Sequence, residues 1–152
     1  MRRSELFHVG LVVADLEVGR ERLGRLLGLT WGPVVEIPEL PLRDGGGRDL
    51  VLPNRLCYST EPPYIELIQE VPGSIWTCNR HSNIHHIGFF SDALADDSTS
   101  LGTGGCPLEL CGRGEGQEPT SFAYHRIELG VRVELVDSAL RPGMEATLFS
   151  PG

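Results

Sequence analysis

The strongest constraint on this chain is that it is written twice. Residues 7–16 read Phe-His-Val-Gly-Leu-Val-Val-Ala-Asp-Leu, and residues 85–94 read His-His-Ile-Gly-Phe-Phe-Ser-Asp-Ala-Leu. Each stretch holds a His, a β-branched residue, a Gly and an apolar pair, with Leu eight positions beyond the His (His8 to Leu16, His86 to Leu94). The ends match too, because Ile65-Glu66-Leu67-Ile68-Gln69 parallels Val133-Glu134-Leu135-Val136-Asp137. Either pattern alone carries no weight. Four marks in one order in both halves point to an internal repeat, which restricts the fold to two copies of one supersecondary unit.

Local patterning makes that unit β-α-β-β-β. Residues 6–13 are rich in Val and Leu, as a half-buried strand is. Asp15 is placed to cap a helix, Glu17 sits where the dipole favours negative charge, and Gly28 stands at a helix C-terminus. Leu16, Leu23, Leu26 and Leu27 fall near one face of that helix. Strands are expected at about 33–37, 49–58 and 63–69, with Gly45-Gly46-Gly47 as a turn. In the second half a short helix is expected over 93–102, a loop over 112–117, and strands over 121–128 and 131–137. The fold class is therefore α+β. One domain over 1–152 would hold module one (about 5–70), a linker (71–83), module two (84–140) and a C-terminal tail (141–152).

A chain of 152 residues buries enough surface to form a core without staples. All 13 basic residues are Arg and scattered, and the net charge is −8, which disfavours a nucleic-acid partner. No apolar run approaches the length of a membrane span, and no apolar leader follows Met1, so the expected location is the cytoplasm. Cys57, Cys78, Cys106 and Cys111 lack C-x-x-C spacing and read as core or loop residues.

Side chains alternate across a strand, so His8 shares a face with Gly10 and Val12, and His86 with Gly88 and Phe90. Glu66 shares its face with Tyr64 and Ile68, and Glu134 with Arg132 and Val136. If the modules form one curved surface, the two His and two Glu can converge on a divalent metal such as Zn, Ni, Co, Mn or Fe(II). Taken singly, each has a bland reading: a core histidine, or the solvent-facing Glu of a strand. Their pairing across the repeat is what favours ligands. Alternation sends His85 to the other face as a packing residue. Trp31, Tyr64, Phe90 and Tyr124 are candidates for a pocket wall, with core packing as the alternative, and His125 fits inside or outside equally.

The paired His-x-Gly starts and Glu-Leu ends resemble those of the vicinal oxygen chelate superfamily, over roughly residues 5–140. That superfamily includes glyoxalase I, methylmalonyl-CoA epimerase, extradiol dioxygenases and bleomycin-binding proteins. The resemblance implies two tandem modules in a curved, open-barrel-like mixed sheet around a metal-binding cleft. It also implies His8, Glu66, His86 and Glu134 as ligands, a small-molecule substrate and a homodimer. The activity implied is a metal-dependent isomerase, epimerase or lyase, with Glu66 or Glu134 taking a proton beside a chelated carbonyl or carboxylate. Two other activities fit the same resemblance: an antibiotic or natural-product binding protein without catalysis, and an Fe(II) dioxygenase.

Overall fold

The computed structural model describes residues 5–151; the first four residues, part of the N-terminal segment considered above, lie outside them. The elements run β1 (Leu6–Val13), α1 (Leu16–Leu27), β2 (Val35–Asp44), β3 (Asp49–Tyr58), β4 (Tyr64–Gln69), β5 (Ile84–Ser91), α2 (Leu94–Thr103), β6 (Leu108–Arg113), β7 (Pro119–Arg126) and β8 (Arg132–Asp137). A strand, a helix and three strands thus occur twice in that order. A 3-10 turn (Ser138–Leu140), an α-helical turn (Arg141–Gly143) and a π-helical turn (Met144–Leu148) follow.

Asp15 caps α1 as expected, accepting from the Val18 N–H at 3.0 Å, and Gly28 ends the helix at φ 69°. The apolar face is narrower than the Leu spacing suggested. Leu16 is fully buried, but Leu26 and Leu27 are exposed, because α1 meets the sheet chiefly along β4. α2 has no side-chain cap and packs on β7. No described helix is long and apolar enough to cross a membrane.

The eight strands close into a barrel in the order β1-β4-β3-β2-β6-β7-β8-β5, with β5 returning to β1. β1–β4 and β5–β8 are parallel, and the other pairs are antiparallel. β2 is longer than the 33–37 expected, and β6 replaces the start of the expected loop. Gly112 explains the second difference: a Cβ there would sit 2.1 Å from the Thr120 carbonyl oxygen, so this glycine lets two strands close up rather than marking a turn. Closure on this side is short, pairing only Leu42, Arg43 and Asp44 of β2 with β6. Val35 to Leu40 are left beside an opening, and the cavity described below lies there.

Leu16, Cys57 and Leu67 form a core under α1, and Leu94, Cys111, Val133 and Leu135 one under α2. Inside the barrel, Val12, Leu42, Ile68, Leu110 and Tyr124 pack around Trp76, which descends from the segment between β4 and β5. All four cysteines are free.

Candidate metal centre

The register of four neighbouring strands explains how His8, Glu66, His86 and Glu134 meet. Gly10 on β1 stands between Glu66 on β4 and His86 on β5. Gly88 on β5 stands between His8 on β1 and Glu134 on β8. Each glycine leaves the space into which the other module's imidazole folds. A Cβ on Gly10 would lie 1.9 Å from His86 Cε1, and one on Gly88 would lie 1.9 Å from His8 Cε1. The His-x-Gly repeat is therefore reciprocal: each module supplies a ring and the gap for its partner's ring.

Their donor atoms form one buried cluster. The two Nε2 atoms are 2.7 Å apart. His8 Nε2 lies 3.5 Å from Glu66 Oε2 and 3.0 Å from Glu134 Oε2. His86 Nε2 lies 3.0 Å and 3.2 Å from the same two oxygens. Both Oε2 atoms are buried and aligned with no N–H or O–H donor, although ring nitrogens are close. Donors placed about 2.1 Å from a shared first-row cation stand about 3.0 Å apart at right angles and about 3.4 Å apart in a tetrahedron. The spacing, the orphaned oxygens and the two-imidazole, two-carboxylate chemistry all fit such a cation, and these four residues could hold one.

The electrostatics are those of charges paired away from water. Burial pushes the Glu66 carboxyl up, but the His8 and His86 rings outweigh it and hold Glu66 well below the usual carboxylate range. Glu134 is lowered in the same way, burial being outweighed by His86 and His8. Burial pushes His86 down, and Glu134 and Glu66 reverse this, raising it to about 9. His8 is raised against burial by the same two carboxylates. Tyr58 and Tyr124 are pushed well up by burial and then by the charges of Glu66 and Glu134, so both remain phenols.

His85 departs from simple alternation. β5 is irregular between the Gly10–His86 and Leu11–Ile84 pairs, and this bulge turns the extra residue, His85, inward. Its Nε2 is 2.9 Å from the Ile75 carbonyl oxygen and its Nδ1 is 2.9 Å from His86 Nδ1. The carbonyl can only accept, so His85 Nε2–H donates to it. His85 Nδ1 then accepts from His86 Nδ1–H, which turns the His86 Nε2 lone pair toward the cluster. Burial, followed by His86 and Arg132, pushes His85 down to about 4, which keeps it neutral and able to accept. Replacing His85 by Phe is expected to weaken metal binding about 10- to 100-fold in chelator competition; unchanged affinity would leave His85 a packing residue only.

A cavity of about 510 Å³ ends on Glu66 and Glu134. Of the pocket candidates read from sequence, Tyr124 lines it. Trp31 does not: it packs between α1 and the sheet with Leu16 and Cys57, and its Nε1–H donates to the Arg20 carbonyl oxygen at 2.9 Å. Tyr64 and Phe90 border a second depression, which His8 also lines, and there Tyr64 stacks on Phe149 and Phe90 on Phe7. His125 lies on the outer face of β7 under α2, 2.8 Å from both Ser98 Oγ and the Cys106 carbonyl oxygen. Alternation from Tyr124 dictates that placement. Tyr58, Trp76 and Asn54, which sequence reasoning passed over, do line the cavity. A signal for Tyr58 existed: it pairs across from Glu66 as Tyr124 pairs across from Glu134.

Comparison with known proteins follows the same lines. No curated protein matches the sequence. The chain is similar in structure to a methylmalonyl-CoA epimerase in complex with methylmalonyl-CoA, at 15% identity and a TM-score of 0.61 over 89% of this chain and 94% of that one. A variant of the Streptomyces coelicolor methylmalonyl-CoA epimerase, in complex with 2-nitronate-propionyl-CoA, gives 16% identity and a TM-score of 0.61 over 89% and 97%. The Mycobacterium tuberculosis methylmalonyl-CoA epimerase gives 21% identity and a TM-score of 0.53 over 88% and 87%. At such identities the likeness establishes the shared fold. The model of the glyoxalase, bleomycin resistance protein and dioxygenase superfamily matches residues 7–124, most of the sequence and both His-x-Gly strands, and the chain belongs to that superfamily.

Proposed function

We propose that this protein is a metal-dependent isomerase or epimerase that moves a proton on a carbon beside a carbonyl or carboxylate. The observation that carries the reading is the pair of buried carboxylates, Glu66 and Glu134, facing one cavity across two imidazoles. His8, Glu66, His86 and Glu134 would hold a divalent cation, which when bound would acidify a carbon next to a chelated oxygen pair.

The chain's own residues account for the proton. Either Glu66 or Glu134 serves as the base, since both reach the cavity. Held beside His8 and His86, each carboxylate is a weak base. Displaced from the rings, it is left with burial and, for Glu134, the charge of Glu66, both of which raise it toward the range useful for proton transfer. The second carboxylate can return the proton. Tyr58 and Tyr124, kept as phenols, can donate hydrogen bonds to developing negative charge.

Elemental analysis of tag-free protein tests the first half of this reading. About one divalent metal per chain is expected, lost in Glu134→Ala. Below pH about 9 the carboxylates hold a proton on His86 that a cation must expel, so metal retention is expected to strengthen as pH rises toward that value. Exchange of substrate C–H in heavy water, abolished in Glu66→Gln or Glu134→Gln, tests the second half. No metal after reconstitution would sink the enzyme reading. Metal and ligand binding without exchange would favour sequestration, a reading the apolar cavity also supports. A homodimer in the cytoplasm goes with either reading, and sedimentation would read the oligomeric state.

A further inference from the structure

The walls of the cavity say what kind of molecule it admits. Ile37, Leu40, Leu56, Phe122, Met144 and Leu148 make them apolar. The ionisable groups among the lining residues are Glu66, Glu134, Tyr58 and Tyr124, all of which belong to the floor already described. Among the described residues no Arg or His lines the cavity, and the chain has no Lys. The nearer arginines are committed elsewhere. Arg43 is bonded to Asp49 and the Gly116 carbonyl oxygen, Arg55 to Glu17, and Arg132 to Glu109. Arg141, beside the neighbouring depression, is held by Glu145 and Glu5 and lies over the Phe90 ring. A phosphorylated group entering the cavity would therefore meet no cation among its described lining residues, and its charges would be buried there at a substantial desolvation cost.

Three polar side chains interrupt the apolar wall: Ser121 and Thr147 are exposed, Thr147 being bonded to the Gly143 carbonyl oxygen, and Asn54 alone of the three is buried. Asn54 is 5% exposed, lines the cavity, and its carboxamide makes no hydrogen bond among the described residues. It shares the inner face of β3 with Leu52, Leu56 and Tyr58, and its unpaired carboxamide, accessible from the cavity, is available to a ligand. Asn54 and Tyr58 are four residues apart on that face, so about 13 Å separates their backbones along the cavity. Tyr58 pairs across from Glu66, which places Asn54 at the end remote from the metal cluster.

We infer that the cavity selects an uncharged, largely apolar compound with two adjacent oxygens at one end and, at the other, a hydrogen-bonding group read by Asn54. Only the adjacent oxygens rest on the proposed chemistry; the apolar body and the distal polar group rest on the cavity itself.

The test uses the metal-loaded full chain and two neutral, flat α-hydroxy ketones whose fluorescence reports binding. 3-Hydroxyflavone has no polar group at its far end, and 3,4′-dihydroxyflavone adds a hydroxyl there. In the parent protein the distal hydroxyl is expected to strengthen binding about five-fold, the worth of one neutral hydrogen bond. In Asn54→Leu that gain should vanish, with metal content unchanged. Methylmalonyl-CoA in large excess should not displace either flavone. Displacement by the CoA ester at comparable concentration would overturn the inference, as would failure of both flavones to bind or survival of the hydroxyl's gain in Asn54→Leu. If Asn54→Leu does not fold, Asn54→Ala replaces it, and the competition arm needs no variant. Failure here is distinguishable from failure of the proposed chemistry. Neither flavone has a C–H beside its carbonyl to exchange, so flavone binding tests the cavity alone and stands or falls apart from proton transfer, whereas exchange on a preferred CoA ester would keep the proposed chemistry and sink this inference.

Discussion

A Gly88→Ala variant is expected to lose metal affinity by more than about 100-fold, because the added methyl occupies the space of the His8 ring. The nearest ring atom would stand 1.9 Å from the new Cβ, so the imidazole must leave or β1 and β5 must part. Either route removes His8 from the cluster and costs about 1–3 kcal/mol of stability as overpacking. Gly10→Ala should do the same to His86. Gly102→Ala is the control, since a Cβ there meets nothing within 4 Å. Chelator competition and thermal melts of the three variants decide the matter. Near-parental metal affinity in both Gly88→Ala and Gly10→Ala would show that the rings reach the cluster by some other route.

Phe149→Ala is expected to cost about 3–5 kcal/mol, the usual range for emptying an aromatic site in a core. Phe149 is buried, stacks on Tyr64 with centroids 4.0 Å apart, and meets Tyr58 edge-on at 5.2 Å. For a chain of this size each kcal/mol moves Tm by about 2–4 °C, so a drop of at least about 6 °C is expected. Phe149→Leu should fall by markedly less. A melt unchanged in the alanine variant would mean that the C-terminal turns rest on the barrel without securing it. The loss bears on the site as well as on stability, because Met144 and Leu148 of the same segment form one cavity wall and Tyr58 forms part of its floor.

These two cases mark where the sequence was and was not informative. His8, Glu66, His86 and Glu134 were legible because the repeat shows each twice, and strand alternation assigns each a face. The mutual fit of Gly10 with His86 and of Gly88 with His8 was not, because it depends on the antiparallel register of β1 and β5, which no local pattern encodes. The aromatic residues were read poorly for a similar reason. Trp31, Tyr64 and Tyr124 have the same chemistry, and only the position of each strand relative to α1, the C-terminal turns and the cavity separates packing from lining. His85 was misplaced because a bulge shifts alternation by one, and a bulge leaves little trace in composition. The tail over 141–152 carried too short a pattern to show that Met144 and Phe149 return to the barrel.

The reciprocal seam between β1 and β5 also bears on how the chain reaches its final state. Before the seam closes, each half has one imidazole and one carboxylate on parallel neighbours, His8 with Glu66 and His86 with Glu134. Neither half has the ring its own glycine is shaped to receive. The complete donor set therefore comes into being only when strands far apart in the chain have docked, a late event for contacts of such long range. A cation bound at that stage would act as a latch, because its binding free energy would be added to that of the docked state alone. Metal supply during synthesis would in that case govern the yield of native protein as directly as the proposed activity.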